Sequence, residues 1–250
     1  MSASPLISII TVVLNRAHDI RYTLESISRQ DYNSVEYIVV DGGSTDGTLA
    51  ILEEYKSSIH QLISEPDKGI YDAMNKGLEL ATGDFVLYIN GGDALHEANT
   101  ISQLAEIITG NTPPPDIVYG ECMFVNAERK PLGTRTQLRK NPLPLHLTYN
   151  SFELGSNVTH QCFLVRRSIC QPYQLQYRLS SDIDWMLNCI KKSNLNINAQ
   201  IITADFVLGD ATSKHYFRSM KERFSILLHH YGCLNAFKAH FHMVFIRPFQ

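Results

Sequence analysis

The chain lacks several things, and each absence removes a class of protein. It has one tryptophan in 250 residues, only five cysteines, and a formal net charge of just −3. The cysteines, Cys122, Cys162, Cys170, Cys189 and Cys233, are scattered and form no C-x-x-C pair. That argues against a zinc knuckle and a disulfide-built scaffold, and fits a reducing compartment. Near-balanced charge removes the bulk attraction that nucleic-acid binders use, so no nucleic-acid partner is expected. No apolar run approaches the roughly 20 residues that cross a bilayer. Met1 to Pro5 carry no basic stretch or cleavage motif, so no signal peptide is read and the expected location is cytoplasmic. The turn after the first apolar run, Leu14-Asn15-Arg16-Ala17-His18, contains no glycine. A dinucleotide-dependent oxidoreductase needs G-x-G-x-x-G there, and fails that test.

What is present is a regular alternation. Leu6 to Leu14 is a β-branched run suited to a strand buried on both faces. Asp19 to Arg29 has helical spacing, with Ile20, Leu24 and Ile27 on one face. Tyr37 to Val40 predicts a second strand, and Thr45 to Tyr55 a helix capped by Ser44 or Thr45. His60 to Ser64, Ile70 to Ala81 and Phe85 to Asn90 continue as strand, helix, strand, with Gly83 as a stop signal. Such alternation indicates an α/β fold with a mostly parallel, open sheet flanked by helices. Beyond Pro113-Pro114-Pro115 the spacing predicts strands over 116–120 and 161–165 and a helix over 181–190. Lys130 to Tyr149 reads as a long surface loop. The expected division is a main domain over 1–210, its two halves meeting near residue 110. Residues 211–250 form a separate basic, aromatic, helical segment.

Two apolar runs each deliver an acid at their carboxyl end: Asp41 in D-G-G-S-T-D-G, and Asp93 in N-G-G-D. In an open α/β sheet ligands bind beyond those ends. Between them lies Asp67-Lys68-Gly69-Ile70-Tyr71-Asp72-Ala73-Met74-Asn75-Lys76-Gly77. The whole suits a nucleoside diphosphate held with a divalent cation. Asp41 can accept from a base or a ribose hydroxyl, or merely build a turn. Asp93 can hold a metal beside phosphates, with Gly91 and Gly92 leaving room, or cap a helix. Lys68 before a helix N-terminus is poor helix chemistry unless an anion sits there. Asn75 is placed to bond across to the strand ends, or is an exposed helix residue. Asp182 and Asp184 are two positions apart and so do not share one helix face. One of them suits a general base toward an acceptor hydroxyl, the alternative being a simple acidic cap. His160-Gln161 lies ahead of a strand.

Together these stretches resemble the family 2 glycosyltransferases of GT-A fold, above all the bacterial subgroup that builds capsule, exopolysaccharide and lipopolysaccharide chains. The resemblance rests on Ser8 to Arg16, Ile38 to Thr48, Ser64 to Gly77, Ala81 to Asp84 with Asn90 to Asp93, and His160-Gln161 with Ser181-Asp182. It implies inverting transfer from a nucleotide-diphosphate sugar, with UDP favoured, to a saccharide or lipid-linked saccharide. It further implies that Val12, Asn15, Asp41, Lys68, Asn75, Asn90, Gly91, Gly92 and Asp93 line the donor site, with Mn2+ or Mg2+ on Asp93. Asp182 would be the base, and His160, Gln161 and Asp184 would face the acceptor or the phosphates. The family's usual acidic pair is reduced here to one carboxylate, Asp93. Alternatives of the same fold are a nucleotidyltransferase and a non-catalytic carbohydrate-binding protein. The nucleotidyltransferase would need a glycine-rich basic loop after the first strand, and Leu14 to His18 supply none.

From Lys214 onward the chain holds six Lys or Arg and one acid, Glu222, interleaved with aromatic residues. One or two amphipathic helices are expected, suited either to the inner face of the cell membrane or to packing on the domain or on a second copy.

Overall fold

The computed structural model describes residues 4–139, 141–208 and 216–241. A mixed sheet organises them. Its first half comprises β1 (Ile7–Val13), β2 (Val35–Asp41), β3 (Gln61–Ser64) and β4 (Phe85–Tyr88), all parallel to one another in the order β3-β2-β1-β4. The second half comprises β5 (Ala94–Leu95), β6 (Ile117–Val125), β7 (Pro131–Thr134), β8 (Phe163–Arg166) and β9 (Asn196–Val207). It joins the first through an antiparallel β4–β8 pair and runs β8-β6-β9-β5, with β7 antiparallel to β6.

All seven residues of β1 are buried, as expected of a central strand covered on both faces. Its side chains alternate. Ile10 and Val12 join Tyr71, Ala73 and Met74 of α3 (Ile70–Leu80) and Ile183 and Trp185 of α6 (Ser181–Lys192). Ile7, Ile9 and Val13 join Leu24 of α1 (Ile20–Ser28), Leu52 of α2 (Thr48–Glu54) and Ile101 of α4 (Thr100–Gly110). The period of two thus sends one strand into two separate cores. Helix α3 lies tight on the sheet because position 77 is glycine: a Cβ there would collide with Ile10 Cγ2.

Several expected boundaries shift, each for a local reason. Helix α2 starts at Thr48 rather than Thr45, because Gly47 sits in the left-handed region (φ 99°). Its first turn is capped by Asp46, which accepts from Thr48 N at 3.0 Å and Thr48 Oγ1 at 2.6 Å. Ser44 is occupied elsewhere. β6 runs on to Val125, sustained by β9 beside it. β9 escapes sequence reading because its pairing with β6 is interrupted and Gln200 adopts φ 56°, which breaks the alternation. The expected loop over 130–149 instead begins as the hairpin strand β7 and the short helix α5 (Arg135–Arg139).

The C-terminal helix α7 (Tyr216–Phe241) is broken at Gly232 (φ 79°, ψ 175°) into two pieces. Leu227, Ala236 and Ala239 form a small core of their own. The stretch over 209–213 lies outside the described residues.

Candidate active site

The carboxyl end of β1 is flanked by the two acid-bearing loops. Gly42 N donates to Val13 O at 2.9 Å, and Gly91 N donates to Val12 O at 3.0 Å. One strand separates β2 from β4, so the two loops stand about 10 Å apart. Val12 itself is buried beneath them.

Asp41 is wholly buried. Its carboxylate accepts from Ser44 N at 3.1 and 3.3 Å, from Ser44 Oγ, and from Ser64 Oγ at 2.6 Å. Ser44 Oγ in turn accepts from Asn15 N at 2.8 Å, and Asn15 Oδ1 accepts from Thr45 N at 2.9 Å. Asn15 reaches this position with φ 52°, a conformation asparagine tolerates better than most residues. Asp46 ties the same loops together through Ala17 N at 3.0 Å, and the Thr48 hydroxyl, followed by Ala17 N, holds its carboxyl down at about 2. The β1 and β2 loops are therefore one hydrogen-bonded unit. The loop over 64–69 lies directly upon it, since a Cβ on Gly42 would meet the Asp67 carboxylate. Lys68 is exposed on that loop, its backbone held by Asp72 Oδ2 (3.0 Å) and Arg178 Nη1 (3.3 Å). A shallow depression opens there, lined by Lys68, Gly69, Tyr71, Asp72, Tyr177 and Arg178.

Asp93 is 7% exposed, and burial raises its carboxyl from an ordinary 3.8 to about 7. Opposing that rise are Gln161 Nε2, which donates to Oδ2 at 2.7 Å, Val207 N, which donates to Oδ1 at 3.2 Å, and the charges of Arg16 and Arg129. Asp93 caps no helix, because α4 begins only at Thr100 with Asn99 at its N-cap. The loop is held from both sides. Thr23 Oγ1 accepts from Gly92 N at 2.9 Å and donates to Asp93 O at 2.6 Å. Arg129, on the β6–β7 turn, donates to Gly92 O and lies 4.2 Å from the Tyr22 ring centroid. Gly92 is left-handed (φ 101°), and a Cβ there would stand 2.9 Å from Asp19 Oδ2. Asn90 Oδ1 is buried without a donor. One carboxylate that resists ionisation and one orphaned amide oxygen on the same loop form a donor set that a hard divalent cation satisfies. Among the described residues no three acidic, histidine or cysteine side chains gather into an all-protein metal cage. A cation here would take its remaining ligands from phosphate or water.

The two acids of α6 are separated by their surroundings. Ser180 is the N-cap residue, so Asp182 lies inside the first turn. Asp182 is half-buried, and its Oδ1 accepts from Tyr71 Oη at 3.0 Å. Asp184 is 4% exposed, pairs with His230 Nε2 of α7 at 2.9 Å, and accepts from Asn188 Nδ2 at 3.1 Å. Asp182 therefore remains reachable while Asp184 is tied into the interior. Tyr71 also stacks on Tyr173, which stacks on Trp185, with ring centroids 5.5 and 5.0 Å apart. This aromatic column fixes the start of α3 against the start of α6.

His160 lies in the same cluster. Its ring sits 5.1 Å from Tyr88 and its Nε2 lies 2.6 Å from Tyr173 Oη. Full burial lowers it to about 4, so it is neutral at pH 7. Asn75 faces Tyr173 as well: Nδ2 donates to Tyr173 O at 3.0 Å and Oδ1 accepts from Tyr173 N at 2.7 Å. His160, Asn75 and Asp184 are thus engaged within the protein, as are Asp41 with Ser44 and Ser64 and Gln161 with Asp93, whereas Lys68 and Asp182 stay exposed or half-exposed. Thr23, Tyr71, Arg129, Val207 and His230 complete the site. Tyr71 falls inside the 67–77 motif without a role marked for it, and no local motif marks the other four, because each acts on a residue at least 37 positions away.

Comparison with known proteins identifies the family and the fold. Residues 8–173 match the family model described as glycosyl transferase family 2. The chain belongs to that family and is a glycosyltransferase. A "PGL/p-HBAD biosynthesis glycosyltransferase" of Mycobacterium bovis is 33% identical over 199 residues, covering 77% of this chain and 73% of that protein. The Escherichia coli "UDP-Glc:alpha-D-GlcNAc-diphosphoundecaprenol beta-1,3-glucosyltransferase WfgD" is 24% identical, covering 89% and 85%. Among solved structures, S. aureus TarS 1-349 in complex with UDP-GlcNAc superposes with a TM-score of 0.70 at 20% identity. That superposition covers 88% of this chain but 65% of the TarS chain. The mannosyltransferase PcManGT of Pyrobaculum calidifontis, in complex with GDP-Man and Mn2+, gives 0.67 at 16% identity, covering 99% and 72%. The fold is that of the GT-A glycosyltransferases.

Proposed function

We propose that this protein is an inverting glycosyltransferase. It moves a sugar from a nucleotide-diphosphate sugar, with UDP favoured, to a saccharide or lipid-linked saccharide of a growing bacterial surface polysaccharide. Residues to about 110 take the donor, and residues from about 111 to 210 face the acceptor. The observation that carries the reading is the division between the two acids of α6. Asp184 is sealed by His230, while Asp182 is half-exposed and held at one oxygen by Tyr71, free to take a proton at the other.

Asp182 accepts the proton of an acceptor hydroxyl as that oxygen attacks the anomeric carbon. The bond from that carbon to the diphosphate oxygen breaks on the opposite face, so configuration inverts and no sugar is attached to the protein. Asp41 and Asn15 shape the seat for base and ribose. Lys68 and the start of α3 offer positive potential to the diphosphate. Asp93 and Asn90 are the residues that would hold Mn2+ or Mg2+, which when bound neutralises charge on the leaving diphosphate. Gln161 keeps the Asp93 carboxylate oriented.

The test is a panel of UDP-, GDP- and dTDP-sugars, scored by nucleotide release and thermal shift with and without manganese. Asp182→Asn is expected to bind donor as the parent does and to lose about 10²-fold or more in transfer. Full transfer by that variant would remove Asp182 from the role.

A further inference from the structure

The C-terminal helix carries a second surface that the transfer reading does not use. In its first piece, Phe217, Lys221 and Leu228 lie on one exposed stripe, while Phe224 on the same stripe is half-buried against Leu227, Ala236 and Ala239. Phe217 is 88% exposed. The break at Gly232 turns the second piece back, so that Phe237 meets Phe224 with ring centroids 5.2 Å apart. Leu234 and Phe237 are 80% and 60% exposed. Single exposed apolar residues need no explanation, but a contiguous aromatic patch does.

The exposed charges that α7 itself places beside the patch are of one sign. Arg218, Lys221 and Lys238 are exposed beside it. The one acid of α7, Glu222, is turned inward, accepting from Leu179 N at 2.7 Å and from Arg218 at 3.2 Å. The chain's net charge is −3, yet its last 37 residues carry +5, from six Lys or Arg against Glu222, and the first 213 therefore carry −8. A negative body with a positive, aromatic helical pair at one place suits an anionic bilayer: the rings enter the headgroup region and the cations meet lipid phosphates. Among the described residues no helix is long and apolar enough to cross a membrane.

We propose that the outward face of α7 docks flat on an anionic lipid surface. The inward face shows what docking would do. Leu179 N bonds Glu222, Ser180 Oγ lies 3.3 Å from Ser219 Oγ, and Asp184 bonds His230. These three contacts bracket Asp182. Docking therefore holds the turn that bears Asp182 one helix diameter, roughly 10 Å, from the bilayer surface, within reach of the head of a lipid-linked acceptor. The docking itself is independent of the proposed transfer; only this consequence rests on it.

The test is co-sedimentation of the full chain with vesicles of phosphatidylcholine alone and of phosphatidylcholine mixed with phosphatidylglycerol. Removing α7 would also remove Glu222 and His230, so surface variants are used instead. The parent is expected to sediment with the anionic vesicles only, and to be released by high salt. Phe217→Ser with Phe237→Ser, and separately Lys221→Glu with Lys238→Glu, are each expected to weaken partition about tenfold or more at unchanged melting temperature. Nucleotide release with a water-soluble acceptor should be unaltered in both. Absence of vesicle binding by the parent, or equal binding by parent and variants, would overturn the proposal. So would a parent dimer that ignores vesicles and that the Phe217/Phe237 variant dissociates, which would assign the patch to a second copy. Asp182→Asn should sediment like the parent, so failure of the transfer reading would not mimic failure of this one.

Discussion

Replacing Asp93 by asparagine should stabilise the empty protein at neutral pH while abolishing metal-dependent turnover. Burial lifts this carboxyl from 3.8 to about 7. A group whose folded pKa lies above its unfolded value binds more protons when folded. Stability is then full below pH 4, falls as pH rises, and levels off above pH 7. Each pKa unit corresponds to about 1.4 kcal/mol, so the gap amounts to about 4 kcal/mol. That is an upper limit, since the loop relaxes and water enters when the charge forms. Asp93→Asn keeps an acceptor for one neighbouring donor and carries no charge. The difference in unfolding free energy between the two proteins should therefore grow from near zero at pH 4 to roughly 2–4 kcal/mol at pH 8. For a domain of this size that is a rise of roughly 5–10 °C in melting temperature at pH 8. Denaturant unfolding of both proteins across this pH range measures it. The same carboxylate must ionise to meet a cation, so manganese affinity of the parent should rise about tenfold per pH unit up to pH 7 and flatten beyond it. A stability difference independent of pH, or one that grows toward acid, would refute the burial argument.

Three further outcomes follow from the same contacts. Gln161→Leu removes a donor that opposes the rise of Asp93, so the pH midpoint of manganese-dependent turnover should move upward; an unmoved midpoint would show that Gln161 does not act on Asp93. His230→Ala leaves Asp184 buried with only Asn188, and should cost about 3–5 kcal/mol of stability, measured by urea unfolding. Gly77→Ala drives a methyl into Ile10 and should cost about 1–3 kcal/mol, read from the thermal midpoint.

The sequence by itself determined the first half of the fold. β1 and α3 are legible because local periodicity reports burial directly, and the acids at the ends of β2 and β4 follow from strand direction alone. The motif order was enough to name the family. Tertiary structure decided the rest, because the deciding contacts join residues far apart in the chain. Nothing local separates Asp182 from Asp184; the first is distinguished by Tyr71, 111 positions earlier, and the second by His230, 46 positions later. Nothing near Asp93 announces that Gln161 and Val207 bury its carboxylate. β9 stayed hidden because a backbone irregularity spoils its alternation, and only β6 and β5 beside it hold the strand in place. Period and punctuation report what a residue does to its own segment. Ionisation and exposure depend on what packs against it, and that is settled only when the chain closes on itself.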